Sequence, residues 1–230
     1  MNIPAQIRSC KWYFYGLGIL LFCCTILLLV SGKAASFIAL NSYHPFALNV
    51  FFINYTFVGD GIFAVGLIAV MFFYFKKKQE ASTLLFSFLI SGVAVQIIKN
   101  LVDTPRPHLF FEHGQYLYFI DGVTLANHHS FPSGHTTTAF AIATVLVMLS
   151  KKRNWQFTIL LAATLVGYSR IYLAQHFLLD VIIGAALGTG CGVFAVYLNA
   201  NAKSIPLSWF KLKRIKTSDS FPSPSSVQPV

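Results

Sequence analysis

An all-α, integral-membrane bundle of six helices with both termini in the cytoplasm is the fold class predicted by three features of this 230-residue chain. Only 10% of its residues are charged and 56% are hydrophobic, whereas a typical soluble domain is about one-quarter charged. With a mean hydropathy of +0.65, lipid takes the place of a packed core as the home of the surplus apolar side chains. Six apolar runs follow one another along the chain, and its basic residues gather between alternate runs. No linker or repeat divides residues 1–202, which read as one domain followed by a tail at 203–230.

The runs are 12–31, 58–75, 82–102, 135–150, 155–173 and 177–198. About 20 apolar residues cross about 30 Å of hydrocarbon as a helix. The first run follows Arg8 and Lys11, as the apolar stretch of a signal peptide would. It is longer than the usual roughly 7–15 residues of such a stretch, which predicts an uncleaved first helix. The second has an aromatic lead-in over 44–57 that suits the membrane interface. The third is stopped by Pro105 and Pro107, which stiffen the backbone on either side of Arg106. The fourth is short and starts just after Ser133. The fifth and sixth are joined by a tight connection. The tail ends in "SDSFPSPSSVQPV", a Ser/Pro-rich composition that predicts disorder.

A net charge of +10 raises the question of a nucleic-acid partner, and the distribution of that charge excludes one. Thirteen of the 17 Lys and Arg fall in four groups: Arg8 with Lys11, residues 76–78, residues 151–153, and Lys203, Lys211, Lys213, Arg214 and Lys216 in the tail. Each group flanks an apolar run and none builds a continuous basic face. Alternation puts all four on one side, which the positive-inside rule makes the cytoplasm. Cys10, Cys23, Cys24 and Cys191 lie at or within apolar runs and form no disulfide or metal pattern.

The same alternation carries Lys99, His135, Arg170, His176 and Asp180, at the ends of four different runs, to the outer face. Ionisable groups in membrane segments are costly and mark function. Lys99, Arg106 and Arg170 form a cationic group with few acids near it, suited to a multiply charged anion. Arg offers phosphate a planar fork and Lys a mobile point charge. Ser133 and Gly134 precede the fourth run, where free backbone N–H groups and the helix dipole favour an anion. His176 and Asp180 are four apart and share a helix face, so the carboxylate can hold one ring nitrogen while the other faces phosphorus. His135 can protonate a departing oxygen and then activate water.

"KNLVDTPRP" (99–107), "PSGH" (132–135) and "SRIYLAQHFLLD" (169–180) resemble the three motifs of the type 2 phosphatidic acid phosphatase (PAP2) family, K-x6-RP, PSGH and SR-x5-H-x3-D, with every fixed position present. The resemblance implies the PAP2/vanadium-haloperoxidase-like core and hydrolysis of a lipid phosphate through a phosphohistidine, with no metal and no other cofactor. It implies His176 as nucleophile, Asp180 as its orienting partner and His135 as general acid and base. Lys99, Arg106, Ser133, Gly134 and Arg170 would then hold the phosphoryl oxygens. The partners implied are the bilayer and a phospholipid or polyprenyl phosphate substrate, met at the outer face of a bacterial inner membrane. A lipid phosphotransferase would carry the same motifs, and a non-enzymatic lipid transporter could retain the pocket.

Two features stand outside the motifs. Asp60, in "VGDGIF", sits at the outer end of the second run and reads as a helix cap or a supporting partner of the site, not as a catalyst. His108, His113, His128 and His129 populate the aromatic loop 103–134 with no metal-ligand spacing. That loop reads either as packing on the helix ends or as a lip that guides a lipid headgroup inward.

Overall fold

The structure is a computed structural model that describes residues 3–111, 119–120, 122–150 and 152–202. The tail at 203–230, Lys151 and, within loop 103–134, residues 112–118 (which include His113) and 121 lie outside the described residues. Among the described residues the regular structure is all helical: α1 (Ile3–Ser9), α2 (Lys11–Asn41), α3 (Phe46–Tyr55), α4 (Gly61–Ala69), α5 (Lys78–Leu101), α6 (Pro107–Phe110), α7 (Gly134–Ser150), α8 (Arg153–Tyr172) and α9 (Leu178–Ala202).

α2 does not stop at residue 31. It breaks at Gly32, whose φ of 76° lies in the left-handed region, and resumes to Asn41. Lys33 interrupts the hydropathy signal, but packing keeps the last part helical. Phe37 is fully buried and stacks on Phe111 and Phe177. Asn41 Nδ2 donates to the carbonyls of Ile171 and Tyr172 (2.8 and 2.9 Å), which closes the end of α8.

The second run and its lead-in together form one broken element. α3 and a 3-10 turn at Thr56–Gly59 are followed, after Asp60, by α4 and a π turn at Val70–Tyr74, and the two halves meet at 59°. α5 ends at Leu101, short of Pro105, and Pro107 opens the single turn of α6 at a position where its missing N–H costs nothing.

α2, α5 and α9 are long and apolar enough to cross a membrane, and the bent pair makes a fourth such element. α7, with 17 residues, and α8, with buried Gln156, Ser169 and Arg170, fall outside that test for a physical reason. α7 is the central helix, enclosed by α9, α8, α5 and the Thr56–Gly59 turn, so its surroundings are protein. It tolerates three buried threonines, of which Thr137 and Thr144 bond back to carbonyls of their own helix (2.8 and 2.7 Å).

α9 lies so close to α7 that no side chain fits between them at three points. A Cβ on Gly184 would come within 2.9 Å of the Ser133 carbonyl oxygen, and one on Gly192 within 2.8 Å of that of Ala141. A Cβ on Gly188 would collide with the Thr137 carbonyl. Glycines four apart form one stripe on a helix, and such stripes let membrane helices approach backbone to backbone. At the other end of the bundle Tyr13 ties α2 to α7 and α8. Its hydroxyl meets Thr144 Oγ1 (3.0 Å), and its N–H donates to Gln156 Oε1 (3.2 Å).

Gly188→Ala should therefore destabilise the protein by about 1–3 kcal/mol through overpacking. Gly190→Ala, on the open side of the same helix, should be neutral. Thermal unfolding in detergent compares the two, and equal midpoints would refute the close-contact account.

Candidate active site

α8 ends in a turn that places three functional side chains within seven residues. Ala174 adopts φ 53°, a region a residue with a Cβ seldom enters. The N–H groups of Gln175 and His176 both return to the Arg170 carbonyl (2.9 and 3.1 Å). His176 is thereby buried at the mouth of α9, 2% exposed, with Nδ1 3.6 Å from Asp180 Oδ2. This is an ion-pair separation just beyond a hydrogen bond.

Asp180 is the third residue of α9, and its Oδ2 reaches back to the Phe177 N–H (2.9 Å), one half of a capping box. The same oxygen accepts from Ser130 Oγ (2.6 Å). The Asp180 carbonyl accepts the Ser133 N–H (3.1 Å), which locks the start of α7 to the start of α9. His176 precedes the helix, and burial together with Arg170 and Arg106 holds its pKa below the ordinary value against the pull of Asp180. The ring is therefore neutral near pH 7.

Ser133 caps α7. Its Oγ accepts from Thr136 N–H (3.4 Å) and Thr136 Oγ1 (2.8 Å), and its carbonyl accepts Thr137 N–H (3.0 Å). A Cβ on Gly134 would make only ordinary contact with Val95, at 3.9 Å. No protein neighbour demands glycine there, so the bare backbone faces open space at the helix N-terminus. His135 follows, with Nε2 3.6 Å from Asp60 Oδ2.

The cations have defined posts. Arg170 is 7% exposed, which excludes a snorkelling anchor; Nη1 donates to Thr56 Oγ1 (2.6 Å), while Nε is buried with no hydrogen-bond partner among the described residues. Arg106 donates through Nε to the His128 carbonyl (3.0 Å) and through Nη1 to Gln175 Oε1 (2.8 Å). Burial lowers its pKa somewhat, and Asp180 opposes that effect. Lys99, half-buried at the end of α5, lies within electrostatic range of Arg106, Arg170 and Asp180.

All eight residues singled out in the motifs thus gather at one end of the bundle. Loop histidines His128 and His129 do not point into it. Both approach Asp103, at 3.3 and 3.5 Å, on the exposed surface.

Four supporting residues were not legible from the motifs: Ser130 on Asp180, Gln175 on Arg106, Thr56 on Arg170, and Lys33. The Lys33 ammonium lies over the rings of Phe177 (4.1 Å) and Phe110 (4.7 Å) and faces Asp180 electrostatically. A lone lysine just past an apolar run was the available signal for the last. Ser130 and Gln175 stand close to motif histidines, but nothing in their spacing announces a role.

Residues 80–204, more than half of the chain, match the model of the PAP2 superfamily. The chain is similar to the lipid A 4'-phosphatase of Porphyromonas gingivalis, 29% identical over 73% of each protein. It is also similar to the undecaprenyl-diphosphatase of Sulfolobus acidocaldarius, 30% identical over 57% of this chain and 61% of that one. Among solved structures, that of Aquifex aeolicus LpxE superposes with a TM-score of 0.64 and 31% identity over 72% of this chain and 94% of that one. The PAP2-type phosphatidylglycerolphosphate phosphatase of Bacillus subtilis gives 0.60 and 26% over 86% and 98%. The chain belongs to the PAP2 superfamily, and it is a membrane protein of that family.

Ser130→Ala removes one of the two donors on the Asp180 carboxylate. A hydrogen bond to a charged group is worth about 1.5–3 kcal/mol, so turnover should fall roughly ten- to hundred-fold with KM little changed. Steady-state kinetics at wild-type expression level check this, and unchanged turnover would show that Ser130 does not position Asp180.

Proposed function

We propose that this PAP2-family phosphoric ester hydrolase removes phosphate from a membrane lipid through a phosphohistidine. The observation that carries the proposal is the pairing of His176 with Asp180 opposite His135, between Lys99, Arg106 and Arg170. An anion-binding protein needs the cations alone, whereas two histidines from different elements, one backed by a carboxylate, supply a nucleophile and a proton carrier.

In this reading Nε2 of His176 attacks phosphorus, and Asp180 orients the ring and stabilises the positive charge that develops on it. The free Arg170 Nε, Arg106, Lys99, Ser133 and the backbone N–H groups at Gly134 receive the equatorial oxygens of the transition state. His135 hands a proton to the departing lipid oxygen and later takes one from water.

The substrate class follows from where the site sits. An apolar hollow of about 230 Å³, lined by Val58, Phe63, Ala139, Ile142 and Leu146 among others, lies along the face of α7 that carries His135, starting one turn further into the bundle. A hydrocarbon chain fits such a lining and leaves its phosphate at the helix end. Relatives named for lipid A, undecaprenyl diphosphate and phosphatidylglycerol phosphate support a lipid phosphate monoester or diphosphate, with phosphatidic acid in the same chemical class. The basic groups on alternate connections support six crossings, both termini in the cytoplasm and a site on the outer face of a bacterial inner membrane. α7 then crosses as the enclosed helix of the bundle, and α8 crosses with its polar residues on a buried face.

Purified protein should release phosphate from such lipids in the presence of EDTA, be inhibited by vanadate, and form an acid-labile labelled intermediate from a radiolabelled phosphate donor. His176→Ala should abolish both release and labelling. Full activity in that variant would overturn the assignment.

A further inference from the structure

The motifs of the site come from α5, α7, α8 and α9, yet a fifth element reaches it. The break in the second membrane element, Thr56 to Gly61, lies directly against the start of α7. Gly59 makes this possible: a Cβ there would meet Val166 Cγ1 at 2.5 Å and both Cβ and the carbonyl oxygen of His135 at 3.0 Å. The bare backbone of Gly59 therefore rests on His135, and the next residue is delivered alongside the imidazole. That residue is Asp60.

The two carboxylate oxygens of Asp60 have different tasks. Oδ1 accepts the Ile62 N–H (2.8 Å) and caps α4, which fixes the side chain. Oδ2 is left 3.6 Å from His135 Nε2. The same turn supplies Thr56, whose hydroxyl receives Arg170 Nη1. The segment thus holds one phosphate-facing cation and one histidine, each by a polar side chain.

From this arrangement, and resting on the function proposed above, we infer that Asp60 is a positioning residue for His135, so that the site holds two His–Asp pairs, one for the nucleophile and one for the proton carrier.

The electrostatics call for such a partner. The charged and titratable groups that act on His135 are Lys99 from α5, Arg170 from α8, His176 from the connection before α9, and Asp60 from the broken element. Of these Asp60 alone bears a carboxyl group. A general acid must carry its proton when the leaving group departs, and the two cations oppose a further positive charge beside them. A carboxylate within ion-pair distance offsets that opposition and holds the ring orientation.

The proton is then accounted for in both half-reactions. As the bond from His176 nitrogen to phosphorus forms, the bond from phosphorus to the lipid oxygen breaks. The departing oxygen keeps that electron pair and takes the His135 proton, giving a lipid alcohol and a neutral imidazole. In the second half a water oxygen bonds to phosphorus while its proton passes to His135. The pair from the nitrogen–phosphorus bond returns to His176, inorganic phosphate leaves, and the imidazolium beside Asp60 is restored.

Asp60→Asn is the informative variant, because Asn caps a helix as well as Asp does while it removes the charge. With short-chain phosphatidic acid as substrate, turnover should fall ten- to hundred-fold and the basic limb of the turnover–pH profile should move to lower pH. Vanadate inhibition, which reports the phosphate pocket, should stay as in the wild type. Asp60→Glu should recover part of the activity and return the limb toward its original position. Wild-type turnover with an unmoved profile in Asp60→Asn would overturn the inference alone. So would a loss accompanied by weakened vanadate inhibition and an unmoved profile, which would make Asp60 a scaffold residue. Absence of phosphate release by the wild-type protein from every lipid phosphate tried would overturn the functional reading and this inference with it.

Discussion

At Gly184, Gly188 and Gly192 the backbone of α9 meets that of α7 with no side chain between them, and the residues that resemble a phosphatase site depend on that contact. α7 starts from its cap Ser133 with Gly134 and His135, and α9 follows Phe177 and carries Asp180 in its first turn. If the helices stood one side chain further apart, the Ser133 N–H could not reach the Asp180 carbonyl. Close backbone packing is a common way to join helices where lipid removes the usual hydrophobic incentive, and here the same contact holds the start of α7, with His135, against the start of α9, with Asp180.

That pocket concentrates positive charge in a place where charge is expensive. Lys99, Arg106 and Arg170 are partly or fully withdrawn from water, and the nearest buried carboxylate, Asp180, already accepts from Ser130 and Phe177. The neutral partners chosen for the arginines, Thr56, Gln175 and a backbone carbonyl, orient the guanidinium groups without neutralising them. Such an arrangement suits an anion that carries two or more negative charges. Polar neighbours that orient but do not pair are what separate this arrangement from a structural ion-pair network.

Much of this was readable in advance because the chemistry-bearing residues lie at helix ends, where local sequence governs. Pro105 and Pro107 stop a helix, Ser133 caps one, and the four-residue spacing of His176 and Asp180 brings them together at the mouth of α9. What could not be read were contacts between elements distant in sequence. Ser130 meets Asp180 fifty residues away, and Asp60 meets His135 because Gly59 permits two backbones to touch. The first helix was underestimated for a different reason. Hydropathy counts Lys33 as an interruption, whereas the folded protein covers its ammonium with the rings of Phe110 and Phe177.

By itself the sequence determined the membrane character of the chain, the order of its long apolar helices, and the set of basic, histidine and acidic side chains that matches the PAP2 motifs. These depend on composition, on period and on spacing within about one helical turn. Tertiary structure alone decided how close α7 stands to α9, that the second apolar run breaks by 59° at Asp60, and which neutral or charged side chain backs each motif residue. Those outcomes rest on shape complementarity between surfaces far apart in the chain, which no local pattern encodes.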